Sequence, residues 1–418
     1  MWDTIFIKEN LLKALKRVEM NKGAAGSDGM TTKELRKYLR ENWKDIKEKL
    51  DRGEYHPAPL RRKEIPKPQG GTRQLGIPTV LDRFIQQAIT QALTPIFEPQ
   101  FSPHSFGYRL NRSAHMAVKA AKGYIQEGFE CVVDIDLEKF FDRVNHDILM
   151  AKVARKVKDK RTLTLIRKYL TSGVMINGVV IDISEGTPQG GPLSPLLANI
   201  MLDDLDHELE KRGHPFVLYA DDMTIFVKSK RAGERVLDSM RRYIQNRLRL
   251  KVNEKKSAVD LPWRRKILGF SFYKRQGTVR VRIAKQAIKK FKAKIRKMTR
   301  RTTHGTITEI IQGTNIYLTG WSGYFHLAET NSVFMELDEW VRHRLRQIIW
   351  KRWKRGTTRF RKLVELGIPR EKAAMGAKSA SYWKMSNNFM VKFALNNTYW
   401  DEQGLKSILT CVVSLRKV

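Results

Sequence analysis

An α+β fold is what this chain predicts, and three observations carry that expectation. Apolar residues recur at helical spacing in some segments and alternate in others, in the order helix, hairpin, helix, strand, helix, hairpin. With 418 residues and 41% hydrophobic content, the chain can bury a large core and divide into two or three domains. After about Trp263 its character changes to long basic stretches without acids.

The elements follow in order. Residues 8–50 are charged and helical, interrupted by Asn21-Lys22-Gly23-Ala24-Ala25-Gly26-Ser27-Asp28-Gly29, a small-residue loop expected to be mobile. A hairpin is expected over residues 61–77, turning at Gln69-Gly70-Gly71. Phe84, Ile85, Ala88, Ile89, Ala92 and Leu93 then share one face of a helix over residues 82–93. Residues 131–137 read as a strand. Alternation sends Cys131, Val133, Ile135 and Leu137 to one face and Asp134 and Asp136 to the other. A helical stretch around residues 145–169 and a short hairpin near 174–183 come next. Gly186-Thr187-Pro188-Gln189-Gly190-Gly191-Pro192-Leu193 leads into a helix with Ser194 expected as N-cap and Pro195 at the first helical position. That helix should carry Leu197, Met201, Leu205 and Leu209 inward and close at Gly213. Phe216-Val217-Leu218 and Met223-Thr224-Ile225-Phe226-Val227 flank Tyr219-Ala220-Asp221-Asp222, setting two carboxylates at the tip of an apolar hairpin. Further on, Ile288, Phe291, Ile295 and Met298 mark a helix whose opposite face is strongly basic.

Charge narrows the partners. Lys and Arg number 80 against 43 Asp and Glu, a net charge of +37, and such a field attracts polyanions. Sixteen Lys and Arg and no acid fall between Arg264 and Arg301; ten more, again without an acid, lie between Val341 and Lys362, interleaved with Trp350, Trp353 and Phe360. Acid-free basic runs with aromatics fit a phosphate-tracking surface, with Lys289, Lys292 and Arg296 as candidate RNA contacts. Two cysteines, Cys131 and Cys411, exclude a disulfide framework and a cysteine zinc site. The N-terminus lacks the pattern of a signal peptide and no stretch approaches a membrane span, so a cytoplasmic protein with no membrane partner is expected.

An Asp-Asp pair at a hairpin tip is also ordinary turn chemistry. Joined to Asp136, however, it supplies what phosphodiester synthesis requires: carboxylates that hold Mg²⁺ together with substrate phosphates. Asp136 and Asp221 would bridge the ions, with Asp222 close by. Lys67 and Arg73, on either side of the basic hairpin turn, would clamp a triphosphate. The Gly-rich loop at 187–192, Gly190 included, would let backbone lie close to a nucleotide or template.

These residues match a family. The chain resembles the reverse transcriptases of bacterial mobile group II introns, also called maturases, from roughly residue 5 to its C-terminus. Asp136-Leu137-Glu138-Lys139-Phe140-Phe141-Asp142 is similar to the first catalytic-aspartate motif, and Tyr219-Ala220-Asp221-Asp222 to the second. Thr187-Pro188-Gln189-Gly190-Gly191-Pro192-Leu193-Ser194-Pro195 resembles the nucleotide- and template-handling loop, Leu268-Gly269-Phe270 the primer grip, and Gly320-Trp321-Ser322-Gly323-Tyr324-Phe325 the thumb signature.

The resemblance implies a right-hand polymerase: fingers and palm over residues 1–285, a helical thumb or maturase domain over 286–366, and a small basic DNA-binding segment over 367–418. It implies two Mg²⁺ ions, replaceable by Mn²⁺, at Asp136, Asp221 and Asp222 with the flanking Ile135 and Leu137. Phe141 takes the steric-gate position, Gln189 lines the nucleotide pocket, Lys67 and Arg73 match triphosphate-binding residues, and Lys256 stands where a proton donor for pyrophosphate is found. The loop bearing Asn21, Gly23 and Gly26 would form a lid over the template, and Arg344 and Lys351 would contact the parent intron. The implied partners are an RNA template, a DNA primer, dNTPs, group II intron RNA and target DNA. The chain lacks a His- and Cys-rich endonuclease module, so the compact class without DNA cleavage is expected. Two other readings stay open: a domesticated reverse transcriptase in defence or repair, and an RNA-binding splicing cofactor with little polymerase use.

Overall fold

The structure is a computed structural model. It describes residues 1–66, 72–176, 179–181, 185–187, 190–300 and 302–417, with backbone alone at Arg73, Ile176 and Val179. Two units divide it, Met1–Leu261 and Pro262–Val418.

In the first unit, α1 (Trp2–Phe6), α2 (Lys8–Asn21) and α3 (Leu35–Asp51) bury apolar stripes such as Ala14, Leu15 and Val18. The loop between α2 and α3 is not slack, contrary to its small-residue composition. Arg83 Nη2 donates to Ala24 O at 2.6 Å, Ser27 Oγ donates to Pro59 O at 2.7 Å, and a Cβ on Gly26 would lie 2.5 Å from Thr79 Cα. Small residues here permit close approach.

Next come β1 (Leu60–Pro66), β2 (Thr72–Ile77), α4 (Val80–Phe97), α5 (Ala114–Gln126) and β3 (Cys131–Asp136). Thr79 caps α4 by accepting from Asp82 N. The helical stretch after β3 is two helices, α6 (His146–Ala154) and α7 (Lys160–Leu170), because Asp159 starts a new one by accepting from Thr162 N at 3.0 Å. They are followed by β4 (Val174–Ile176), β5 (Val179–Ile181), α8 (Ser194–Lys211), β6 (Phe216–Tyr219), β7 (Asp222–Val227), α9 (Lys230–Leu248) and β8 (Ala258–Asp260). Ser194 is the first residue of α8 rather than its cap. The buried Leu193, already in helical dihedrals, occupies the cap position and, being apolar, offers no side-chain cap. Leu197, Met201, Leu205 and Leu209 do point inward.

One sheet runs β2-β1-β4-β5, with β1 and β4 parallel. The other, β6-β7-β3-β8, is antiparallel throughout. Val133, Ile135, Leu218, Met223 and Ile225 of this sheet join the inward side chains of α8 in a single core. Each such side chain contributes roughly 1.5–3 kcal/mol on burial, which holds the strand ends rigidly.

The second unit opens with a hairpin that charge density conceals, β9 (Phe270–Arg275) and β10 (Thr278–Ile283). Its two-residue turn has Gln276 at φ 49° and Gly277 at φ 73°, as a type I′ turn requires. Val279, Val281 and Ile283 face inward while Arg280 and Arg282 face the other way. Then α10 (Lys285–Met298) buries Phe291 and Ile295, and α11 (Ile307–Phe325) starts at a capping box of Thr306 and Glu309. The unit continues through α12 (Asn331–Arg352), α13 (Gly356–Glu365), α14 (Arg370–Ala377), α15 (Tyr382–Asn387), α16 (Phe389–Ala394), α17 (Asn397–Glu402) and α18 (Ile408–Arg416). Asp338 on α12 ties down the start of α18, accepting from Ser407 Oγ, Ile408 N and Leu409 N. No described helix is long and apolar enough to cross a membrane.

Candidate active site

The register of the antiparallel sheet creates the site. Asp136 ends β3 and Asp222 begins β7, and the two are direct cross-strand partners, so their side chains leave the same face of the sheet. One pair further in, Thr224 Oγ1 donates to Asp134 Oδ1 at 2.8 Å. Tyr219 pairs with Asp222 and leaves Ala220-Asp221 as a two-residue tip. Ala220 holds φ at 58°, a left-handed backbone that glycine adopts more readily. Strain of this kind persists only where the surroundings enforce it.

The enforcing segment is 104–107, which no sequence pattern above includes. Phe106 N donates to Leu218 O at 2.8 Å and Leu218 N to His104 O at 3.0 Å. Gly107 lies so close beneath the tip that a Cβ there would sit 2.2 Å from Ala220 N. Buried Asn199 fixes it by donating to Gly107 O at 3.0 Å. A glycine within Ser105-Phe106-Gly107-Tyr108 was the available signal.

Asp136 is framed from its other side by residues 251–257. Its N–H donates to Ser257 Oγ at 3.0 Å, its carbonyl accepts from Asn253 N at 2.8 Å, and its carboxylate lies 3.4 Å from Lys256 Nζ. Among the described residues no three His, Cys, Asp or Glu side chains form a protein-only metal cage. The paired Asp136 and Asp222 fit instead a Mg²⁺-type ion, which takes one or two carboxylates and completes its shell with water and phosphate oxygens. The side chains of Ile135 and Leu137 are in the core; only their backbone oxygens could contribute.

Phe141 is buried in a single helical turn directly after β3. Its carbonyl accepts from Thr187 N at 2.6 Å, Gly186 N donates to Val144 O at 2.7 Å, and His146 Nε2 donates to Gly186 O at 2.7 Å. The start of the Gly-rich loop is thus fastened to the turn that carries Phe141. Gly190, at φ 139°, approaches Gly76 so closely that a Cβ would lie 2.6 Å from its carbonyl oxygen. Lys67 and Gln189 fall outside the described residues, as does the side chain of Arg73, whose backbone pairs with Ile65. Asn21 is exposed, while a Cβ on Gly23 would meet the Arg83 guanidinium at 2.2 Å.

Within the second unit, two motifs distant in sequence meet. Leu268 and Gly269 form another tight turn, both with positive φ, closed by reciprocal Ile267–Phe270 hydrogen bonds of 2.9 Å. Tyr324 Oη donates to Leu268 O at 2.8 Å, and the Phe270 ring lies 5.1 Å from that of Phe325. On α10, Lys289 is exposed, and Lys292 and Arg296 each stand 5.5 Å from the Trp340 ring. Lys351 is exposed. Arg344 is half-buried and occupied: it donates to Thr299 O at 2.7 Å and to Gln347 Oε1 at 2.8 Å. Burial, and then the charge of Arg296, hold its guanidinium below its ordinary value.

Two family descriptions match the chain. Residues 65–272 match the reverse transcriptase (RNA-dependent DNA polymerase) family, and residues 288–366 match the group II intron maturase-specific domain. Protein YkfC of Escherichia coli (strain K12) is 32% identical over 291 residues, which cover 60% of this chain and 76% of YkfC. The group II intron-encoded protein LtrA of Lactococcus lactis subsp. cremoris is 36% identical over 194 residues, 46% of this chain and 32% of LtrA. The putative COX1/OXI3 intron 2 protein of Saccharomyces cerevisiae is 34% identical over 206 residues, 48% of this chain and 24% of that protein.

Proposed function

The chain belongs to the family of group II intron reverse transcriptases and maturases, and from that premise we propose how its residues share the work. It is an RNA-directed DNA polymerase carrying a maturase domain, of a family that uses divalent metal ions and binds RNA templates and intron RNA. The observation that carries our assignment is the direct register of Asp136 with Asp222, Asp221 standing at the adjoining tip. Bound there, Mg²⁺ or Mn²⁺ would lower the charge barrier to attack by a primer 3′-oxygen on the α-phosphate of a dNTP.

The protein's own groups do the positioning. Asp136, Asp221 and Asp222 would hold the metal ions at the ends of two central strands, where the ions would meet the reacting phosphate. Phe141 closes the space a ribose 2′-hydroxyl would need, which selects dNTPs. Gln189 and Gly190 line the nucleotide pocket, and Lys67 and Arg73 hold the triphosphate. Lys256, whose Nζ lies 3.4 Å from the Asp136 carboxylate, would pass a proton to departing pyrophosphate. Leu268, Gly269 and Phe270 steady the primer. Lys289, Lys292 and Arg296 carry backbone phosphates, and Arg344 and Lys351 serve intron recognition. Functionally, residues 1–285 act as fingers and palm, 286–366 as thumb, and 367–418 as a DNA-binding segment for the target, in a cytoplasmic protein.

The test is extension of a DNA primer annealed to an RNA template, supplied with dNTPs and Mg²⁺. A DNA product of template-defined length is expected. Absence of product, with stimulation of intron splicing in a parallel assay, would make the chain a splicing cofactor alone.

A further inference from the structure

A groove of about 660 Å³ opens in the second unit between the last turn of α10, the Arg344 and Gln347 stretch of α12 and the first turn of α15. Arg296, Lys297, Arg300 and Arg344 supply cations to it, Tyr382 and Trp383 supply rings, and no acid lines it among the described residues. Arg344 caps the C-terminal carbonyl of Thr299 and so offsets the negative end of α10. Among the described residues the groove therefore presents Arg296, Lys297 and Arg300 beside aromatic surface with no carboxylate in its lining.

Trp383 is 53% exposed, an unusual setting for the largest apolar side chain. Its orientation is fixed: the His343 ring meets it edge-on at 5.0 Å, and His343 is itself held by Gln347 at 2.7 Å and Ser386 at 3.1 Å. The same stretch shows two further exposed rings, Phe389 at 82% and Phe393 at 55%, one turn apart on α16. No acid occurs from Lys372 to Trp400. Rings left in water cost burial energy and cations left unpaired repel one another, so both features call for one ligand.

We infer that this groove binds single-stranded nucleic acid, its phosphates on Arg296, Lys297 and Arg300 and a base stacked on Trp383. A duplex hides its base faces within its own stack, whereas a single strand offers them to aromatic platforms. This extends the phosphate-binding role proposed for α10 to a strand type and a stacking residue.

Binding of the full-length chain to labelled dT20, U20 and a blunt DNA duplex, followed by fluorescence anisotropy, tests it. Stacking of one base implies that Trp383→Ala weakens single-strand binding by about 5- to 100-fold. Trp383→Phe should recover most of the loss, and duplex binding should change by less than about twofold. Loss on dT20 alone would assign the site to DNA and loss on U20 alone to RNA; both outcomes support it. Unchanged single-strand binding, or an equal loss on duplex, would overturn it, as would displacement of the oligonucleotides by polyglutamate equally from wild type and variant. If Trp383→Ala melts early, Trp383→Leu keeps the bulk and removes the π-face: the same loss supports the site and wild-type binding refutes it. Primer extension by the wild-type chain, run in parallel, separates the two claims. Its absence counts against the polymerase reading, and unaltered oligonucleotide binding by the variants counts against this groove.

Discussion

Gly107→Ala adds one methyl group beneath the Tyr219-Ala220-Asp221-Asp222 tip, and its effect can be worked from distances. The new Cβ would stand 2.2 Å from Ala220 N and 2.9 Å from the Tyr219 carbonyl carbon. Because carbon contacts settle near 3.5–4.0 Å, the tip or the 105–107 segment must retreat by about 1 Å. Gly107 is not among the positive-φ glycines, so alanine suffers no backbone strain of its own and the clash is the whole perturbation. Both obstructing atoms are backbone, and neither can rotate away. Overpacking of this kind costs about 1–3 kcal/mol of stability, which a core as extensive as this one tolerates. A displacement of about 1 Å at reacting groups costs on the order of 10²-fold in rate. The assay is single-turnover incorporation of one dNTP on a pre-annealed DNA primer and RNA template, with urea unfolding of the same preparation. A folded variant slowed about 100-fold is expected. A rate within about threefold of wild type would refute the argument that Gly107 seats the catalytic tip.

Three further outcomes follow from particular side chains. Phe141→Ala should raise ribonucleotide relative to deoxyribonucleotide incorporation, measured as the ratio of kcat/KM values; an unchanged ratio would place the gate elsewhere. Replacing Lys289, Lys292 and Arg296 together by Gln should flatten the salt dependence of RNA binding, by about 0.9 in the log–log slope per lost contact on a duplex-DNA scale, and identical slopes would reduce this face to a solvated surface. Asp206 is fully buried, and burial followed by the charges of Asp203 and Glu210 pushes its carboxyl well up. A raised folded value means that wild-type stability is present at low pH and lost as pH climbs above the usual carboxylate range; urea unfolding should therefore show Asp206→Asn gaining on wild type as pH rises above that range, and a constant difference would contradict it.

The carboxylate strand and hairpin were legible because two-residue alternation and a short apolar hairpin are local signals, and the acids at their ends needed no tertiary knowledge. Their pairing was less so: that Asp136 stands opposite Asp222 is a matter of register, decided by which faces reach the core. Gly107 shows in the sequence only as a glycine in a loop, because its reason lies in a backbone more than a hundred positions away. In residues 264–301, basic density drew attention to a helix, although Gln276-Gly277 between alternating Val279, Val281 and Ile283 and the preceding apolar residues already marks a hairpin. The loop at 21–29 poses a related difficulty: small residues serve slack chains and tight contacts alike, and here they sit against Thr79 and Arg83.

The measurement that bears most directly on the central claim is RNA-templated incorporation of dNTPs against Mg²⁺ concentration, in wild type and Asp136→Ala, with binding of the RNA–DNA hybrid recorded for both. On the proposed assignment, affinity comes from the distributed basic surface, whereas Asp136 holds metal at the reacting phosphate. Wild type should extend the primer in proportion to metal occupancy and stop on chelation, while Asp136→Ala binds the hybrid and stays at background at every metal concentration. Extension by Asp136→Ala at a rate near that of wild type would contradict the account.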